Sequence, residues 1–95
     1  MAPLIEILCA RGVDPRRIQA HGPYDLVFAN ILLGPLRGLA RSITALVAPG
    51  GRVILSGLLA AQANAALAAY LPQGLALERR IGLEGWMTLI LRRRA

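Results

Sequence analysis

Apolar residues fall along this chain in blocks whose spacing changes, and each change marks an element. In Tyr24-Asp25-Leu26-Val27-Phe28-Ala29-Asn30-Ile31 the apolar core at 26–29 has no polar alternation, which predicts a strand covered on both faces, as in a parallel sheet. Gly34-Pro35 opens a helix, since proline at the first helical position gives up no hydrogen bond. Leu36, Leu39, Ala40, Ile43, Leu46 and Val47 then recur at helical spacing while Arg37, Arg41 and Thr44 fall on other faces, so the helix has one buried stripe. Pro49-Gly50-Gly51 stops it. Val53-Ile54-Leu55 begins a second continuously apolar strand, bounded by Gly57. Strand, helix and strand with short connections form a βαβ unit, which is right-handed and makes the two strands parallel.

Residues 60–71 read as the next helix, rich in alanine and closed by Pro72 and Gly74. Leu75, Leu77 and Ile81 then alternate with Ala76, Glu78 and Arg80, the pattern of a less buried strand; Arg79 breaks it by falling on the apolar phase. Gly82-Leu83-Glu84-Gly85 turns the chain into Trp86-Met87-Thr88-Leu89-Ile90-Leu91, and so short a loop makes the two strands antiparallel. Before all of this, residues 3–11 read as the tail of a helix, with Leu4, Ile5 and Leu8 on one side and Gly12 as its stop. The expected architecture is α/β: two parallel strands with helices, then a closing antiparallel hairpin.

Composition narrows the class. The chain has 95 residues, 56% of them hydrophobic, and its 11 basic residues, all arginine, stand against 5 acidic ones for a net charge of +6. That length suits one small domain, and the apolar content excludes a disordered chain. A lone Cys9 excludes a disulfide scaffold, and one Cys with one His21 falls short of a Cys/His zinc site. Residues 53–71 carry no charge and are long enough to span a bilayer, but Gln62 and Asn64 would sit near its centre and the run divides into a strand and a helix. No membrane span and no signal peptide are expected; the start carries Glu6 inside its apolar run and no basic residue before it.

The order of elements, with YDLVFANILLGPL, LVAPGGRVILSGLL and GWMTLILRRR, resembles the C-terminal part of the class I S-adenosylmethionine-dependent methyltransferase fold. Within that Rossmann-like class the sequence is most similar to the ribosomal protein L11 methyltransferases, in which a D-L-V-x-A-N-I-L segment ends the fourth strand. In that family P-G-G-x-x-I-L-S-G opens the fifth strand and G-W-x-x-L begins the last. The resemblance covers roughly residues 24–92. It implies that residues 1–95 are a partial methyltransferase domain, with 1–23 a remnant helix and connection and 24–95 the second half of the sheet. The family's glycine-rich cofactor loop must follow a strand, whereas Gly50-Gly51 precedes one, and Asp14 and Asp25 stand at the wrong places to hold a ribose. The expectation is therefore that the isolated chain lacks the cofactor cradle and is inactive alone.

Asn30 is the one cofactor-contacting position the resemblance carries over. Ligands of open α/β sheets sit beyond the carboxyl ends of strands, and an amide oxygen there can accept an N–H bond and aim an amine lone pair at the methyl group. Trp86, in the last strand, reads as a core or sheet-end anchor that can also line the substrate mouth, so Asn30 and Trp86 are the candidate substrate-binding residues. No catalytic acid, base or metal ligand is expected. Ser56 lacks the flanking pattern of a nucleophile elbow, Cys9 reads as a small helix hydrophobe and His21 as a loop residue.

The implied function is transfer of a methyl group from S-adenosylmethionine to lysine or N-terminal amines of a ribosomal protein in the cytoplasm. Two other readings compete. The positive charge and the run Arg92-Arg93-Arg94 suit a basic RNA-binding module, although only four aromatic residues are present to stack on bases. The strand at 24–31 would lack the partner it has in the class I order, which predicts an open apolar edge and a homodimer or other assembly through it.

Overall fold

The computed structural model describes residues 4–7, 23–30 and 32–94. Its sheet has five strands in the order β1-β2-β3-β5-β4: β1 (Leu4–Ile7), β2 (Tyr24–Asn30), β3 (Val47–Leu59), β4 (Leu75–Leu83) and β5 (Trp86–Arg93). Strands β1, β2 and β3 are parallel, and β5 runs antiparallel to both β3 and β4. Helices α1 (Leu33–Gly38) and α2 (Ala40–Leu46) join β2 to β3, and α3 (Ala63–Tyr70), flanked by single 3-10 turns, joins β3 to β4. This is the expected α/β architecture with its closing hairpin.

The topology decides where the core lies. The steps from β2 to β3 and from β3 to β4 move the same way across the sheet, and right-handed crossovers in one direction place their helices on one face. Val27, Ala29, Val53, Leu55, Leu89 and Leu91 on that face form one cluster with Leu36, Ile43, Leu46, Ala63, Ala66 and Tyr70 of the helices. The opposite face carries Leu26, Phe28, Ile54 and Ile90 at alternate positions, all only half-buried.

Several local expectations change. The remnant helix fails at Leu4–Ile7, which is a strand paired with β2 from Leu4↔Leu26 to Ile7↔Ala29; the rest of that predicted helix, with Cys9 and His21, lies outside the described residues. A short apolar segment beside an unpaired strand satisfies its backbone groups in the ladder, whereas so short a helix meets the full cost of nucleation. The β2 edge at 26–29, expected to be open and to drive a homodimer, is thereby occupied.

The predicted single helix after Gly34-Pro35 is two, broken at Leu39, and it starts at Leu33 so that Pro35 lies within the first turn, where proline is tolerated. Thr44, assigned to an outer face, is buried. Strand β3 begins at Val47, six residues before its apolar run, because Val47 already pairs with Tyr24 across an irregularity in the ladder.

The misplaced arginine has a structural reason. The register between β4 and β5 shifts between Leu77 and Arg79, so Leu77 pairs with Leu91 while Arg79 pairs with Ile90 and Arg80 with Leu89. One extra residue moves everything after it to the other face. Arg79 and Ile81 therefore leave the face of Leu75 and Leu77 and share that of Ile90. The turn is also tighter than expected: only Glu84 and Gly85 connect the strands, with φ of 51° and 84°, the two positive values of a type I′ hairpin.

Candidate functional site

The carboxyl ends of β2 and β3 lie side by side, with Asn30 paired to Ser56. Strand β5 runs the other way, so its first residue, Trp86, lies at the same end, paired with Leu59 and Leu83. Two contacts hold this end together. The Leu59 N–H donates to Gln62 Oε1 at 2.9 Å, which fixes the chain's exit from β3 into the following 3-10 turn. The Ala60 N–H donates to the Gly85 carbonyl at 2.8 Å, tying the hairpin tip to that exit.

Asn30 is exposed at the end of β2, and its amide oxygen packs against the backbone of Gly57. A Cβ on Gly57 would collide with that oxygen, and Gly57 has a φ of +77°, a conformation that other residues adopt only with strain. Gly57 is thus the seat of the Asn30 side chain, a role beyond the strand boundary expected of it. The available signal was a glycine one serine beyond the apolar run Val53-Ile54-Leu55. Ser56, facing Asn30 in the ladder, is half-buried.

Trp86 is 55% exposed, so it is not the core anchor that one sequence reading assigned. It shares with Thr88 and Ile90 the face that carries no helix among the described residues, and one strand separates it from Asn30. Trp86 is also displaced along the sheet, since it pairs with Leu59 while Asn30 pairs with Ser56, three residues earlier on β3.

Charges gather at the other end of the sheet. Arg52 Nε donates to Glu78 Oε2 at 2.7 Å and Arg52 Nη2 to Glu78 Oε1 at 3.0 Å, a bidentate pair on the surface. The hydrogen bond from Arg52 holds the Glu78 carboxyl below its ordinary value, with Arg92 adding to the effect, and Arg52 is raised in turn. The run Arg92-Arg93-Arg94 is not a loose basic tail. Arg92 stands beside Arg52 in the ladder, and the Arg93 guanidinium donates to the Thr44 and Val47 carbonyls, capping the C-terminal end of α2. The Arg94 N–H donates to the Gly74 carbonyl.

Under the helices, the Tyr70 hydroxyl donates to the Leu36 carbonyl at 2.7 Å, and burial raises its pKa. The Thr44 hydroxyl is buried without a partner among the described residues. Those residues contain no group of three His, Cys, Asp or Glu side chains placed to hold a metal ion, and no helix among them is long and apolar enough to cross a membrane.

The chain as a whole has counterparts among known proteins. The profile of the ribosomal protein L11 methyltransferase (PrmA) family matches residues 6–94. The ribosomal protein L11 methyltransferase of Bradyrhizobium diazoefficiens is 47% identical over 89 residues, which is 94% of this chain and 30% of that protein. Its counterpart in Caulobacter sp. (strain K31) is 46% identical over 84 residues, 88% of this chain and 29% of the relative. The chain thus spans less than a third of the length of the curated relatives it matches.

Among solved structures, the ribosomal protein L11 methylase of Lactobacillus delbrueckii subsp. bulgaricus superposes with a TM-score of 0.71 at 26% identity, over 78% of this chain and 38% of that one. The N-methyltransferase NodS of Bradyrhizobium japonicum, solved with S-adenosyl-L-homocysteine, shares the fold at a TM-score of 0.63 and 14% identity, over 87% of this chain and 53% of that one. The chain belongs to the ribosomal protein L11 methyltransferase family.

Proposed function

We propose that this chain forms the acceptor side of an S-adenosylmethionine-dependent protein methyltransferase, whose substrate is a lysine or N-terminal amine of a ribosomal protein in the cytoplasm. The observation that supports this reading is the placement of Asn30. It ends β2 at the carboxyl edge of the parallel strands, with its amide oxygen against Gly57 and with Trp86 at the same end of the sheet, beyond β3. Ligands of open α/β sheets occupy that edge.

S-adenosylmethionine would supply an activated methyl group there, but the described residues do not fit it as a whole. They include no glycine-rich turn after a strand and no carboxylate at a strand end suited to a ribose. They furnish one wall. On that wall an amine stripped of water is held neutral more easily than in solution, where lysine titrates near 10.4. The Asn30 oxygen, fixed by Gly57, can accept one of its N–H bonds and set the direction of its lone pair. The RNA-binding alternative has less support, because Arg93 is engaged with helix carbonyls and Arg92 lies on the sheet.

Two experiments test the reading. Calorimetry on the 95-residue chain is expected to show no submillimolar S-adenosylmethionine binding. In a chimera where this chain replaces the matching segment of the Bradyrhizobium diazoefficiens relative, methyl transfer to a ribosomal protein is expected to survive and to fall about a hundredfold in Asn30→Ala, the scale of losing an orienting contact. A folded chimera that binds the cofactor and transfers nothing would overturn the proposal.

A further inference from the structure

Little supports the hairpin tip at Glu84-Gly85. Leu83 and Trp86, the pair that flanks it, are 72% and 55% exposed, and β4 is an edge strand. Exposed tips of this kind open locally at low cost. Among the described residues one backbone bond outside the ladder restrains this tip, from the Ala60 N–H to the Gly85 carbonyl at 2.8 Å. The tip is therefore held only as firmly as Ala60 is.

Ala60 opens the 3-10 turn Ala60–Gln62, one residue past the end of β3. Because Ala60 donates toward the hairpin, the Leu59 N–H points the opposite way, to the β2 side of the sheet. There β2 pairs no further than Asn30↔Ser56 among the described residues, so the ladder offers that N–H no acceptor. Gln62 supplies one, its Oε1 taking the Leu59 N–H at 2.9 Å. Gln62 is itself anchored, since it directly precedes α3, whose Ala63, Ala66 and Tyr70 are inaccessible in the core. One side chain thus connects the packed helix to the end of β3 and, through Ala60 and Gly85, to Trp86.

We infer that Gln62 is a positioning residue for the acceptor: it holds the hairpin tip, and with it Trp86, at the sheet end that carries Asn30. The inference rests on the proposed function in taking that end to receive the amine. Leu59 and Trp86 form the closely spaced kind of antiparallel pair, because the hydrogen-bonded pair beside them is Ala60 and Gly85, so any freedom of Leu59 passes directly to the indole. Losing the Gln62 bond loosens what the acceptor binds against and leaves Asn30 on its seat.

The 95-residue chain supports the first test, because Trp86 is its single tryptophan. Gln62→Met keeps the length of the side chain and removes the acceptor oxygen, whereas Gln62→Glu keeps an oxygen in place. Ala60→Pro removes the next donor along, and the extended Leu59, with ψ of 150°, suits a following proline. Ala68→Gly, at an exposed position inside α3, weakens the helix without touching either bond. In Gln62→Met, amide exchange at Leu59 and Ala60 is expected to quicken about tenfold, the scale of one lost hydrogen bond, and Trp86 fluorescence anisotropy to fall. Gln62→Glu is expected to restore both. Ala60→Pro is expected to lower the anisotropy while the Leu59 amide stays protected, and Ala68→Gly to change neither. Circular dichroism verifies the fold of each variant. Unchanged exchange and anisotropy in Gln62→Met, or an equal change in Ala68→Gly, would overturn the inference.

The second test uses the chimera with the Bradyrhizobium diazoefficiens relative. There Gln62→Met is expected to raise KM for the ribosomal protein about tenfold with kcat and cofactor affinity unchanged, and Gln62→Glu to restore it. An active chimera whose KM ignores Gln62→Met overturns the inference and leaves the proposed function standing. A wild-type chimera that binds cofactor and transfers nothing sinks the proposed function, and exchange and anisotropy in the 95-residue chain then decide by themselves whether Gln62 holds Trp86.

Discussion

The two faces of one sheet are built from the same strands and differ in almost everything else. On the helix side, Val27, Ala29, Val53, Leu55, Leu89 and Leu91 are fully inaccessible, packed under three helices. One residue along each strand, Phe28, Ile54 and Ile90 are just as apolar and only half-buried. Residue type therefore does not set the difference; the direction of the crossovers does. A strand can be apolar on both faces although the crossovers among the described residues cover only one of them.

The comparison is tested most severely by truncating neighbours on opposite faces. Leu55→Ala removes a side chain from a closed core and is expected to destabilise the chain by about 3 kcal/mol, enough to unfold much of a domain this small. Ile54→Ala, one residue earlier, leaves an opening already reached by water and is expected to cost about 1 kcal/mol, since only part of its transfer energy was realised. Urea unfolding followed by circular dichroism measures both. Equal losses would mean that the second face is covered after all, and the asymmetry drawn here would be gone.

At the sheet end the two faces meet, and Gly57 governs the meeting. Gly57→Ala is expected to cost about 1–2 kcal/mol for the left-handed backbone alone. Collision with the Asn30 oxygen comes on top of that. Repeating the substitution in an Asn30→Ala background separates the two, because the collision vanishes there and the backbone strain stays. If Gly57→Ala costs the same in both backgrounds, Asn30 does not rest on Gly57 and the site loses its seat.

Tyr70 probes the helix side by a different route. Its buried hydroxyl serves the Leu36 carbonyl, close to the break between α1 and α2, so Tyr70→Phe is expected to cost about 1 kcal/mol. The folded-state pKa of Tyr70 is raised by burial, so the native chain retains a proton that the unfolded chain releases above about 10. Its contribution is complete below that pH and is lost as pH climbs beyond it, at up to about 1.4 kcal/mol per pH unit. Tyr70→Phe should flatten that part of the alkaline slope. A slope unchanged by the substitution would place the tyrosine in contact with solvent.

What the sequence disclosed follows the same division. Strand cores, the hairpin and the family were legible because each depends on local pattern: the apolar run at 26–29, the glycine-bounded turn at 82–85, and the strings around Asn30 and Gly57. Features set by pairing were not legible. Arg79 looked like a defect since a period of two has no means of showing a bulge, and Leu4–Ile7 looked helical since a segment of four residues, three of them apolar, takes whichever ladder or turn is offered. Gly57 was visible as a boundary, but its use as a seat needs Asn30 from the neighbouring strand.

The smallest effect is expected where the bare face is charged. Arg52 and Glu78 pair in two hydrogen bonds, yet both are open to water, so ordering two long side chains offsets most of the attraction. Glu78→Gln should lower stability by less than any substitution above, and the loss should disappear in high salt. Because Arg52 depresses the Glu78 pKa, the pair's contribution is present above the ordinary carboxylate range and fades as pH drops through the folded-state value. Urea midpoints at neutral and acid pH, with and without salt, measure this directly. A salt-resistant loss comparable to that of Tyr70→Phe would show that the pair is shielded from water, and that the bare face is less bare at its charged end than the exposure of these two side chains indicates.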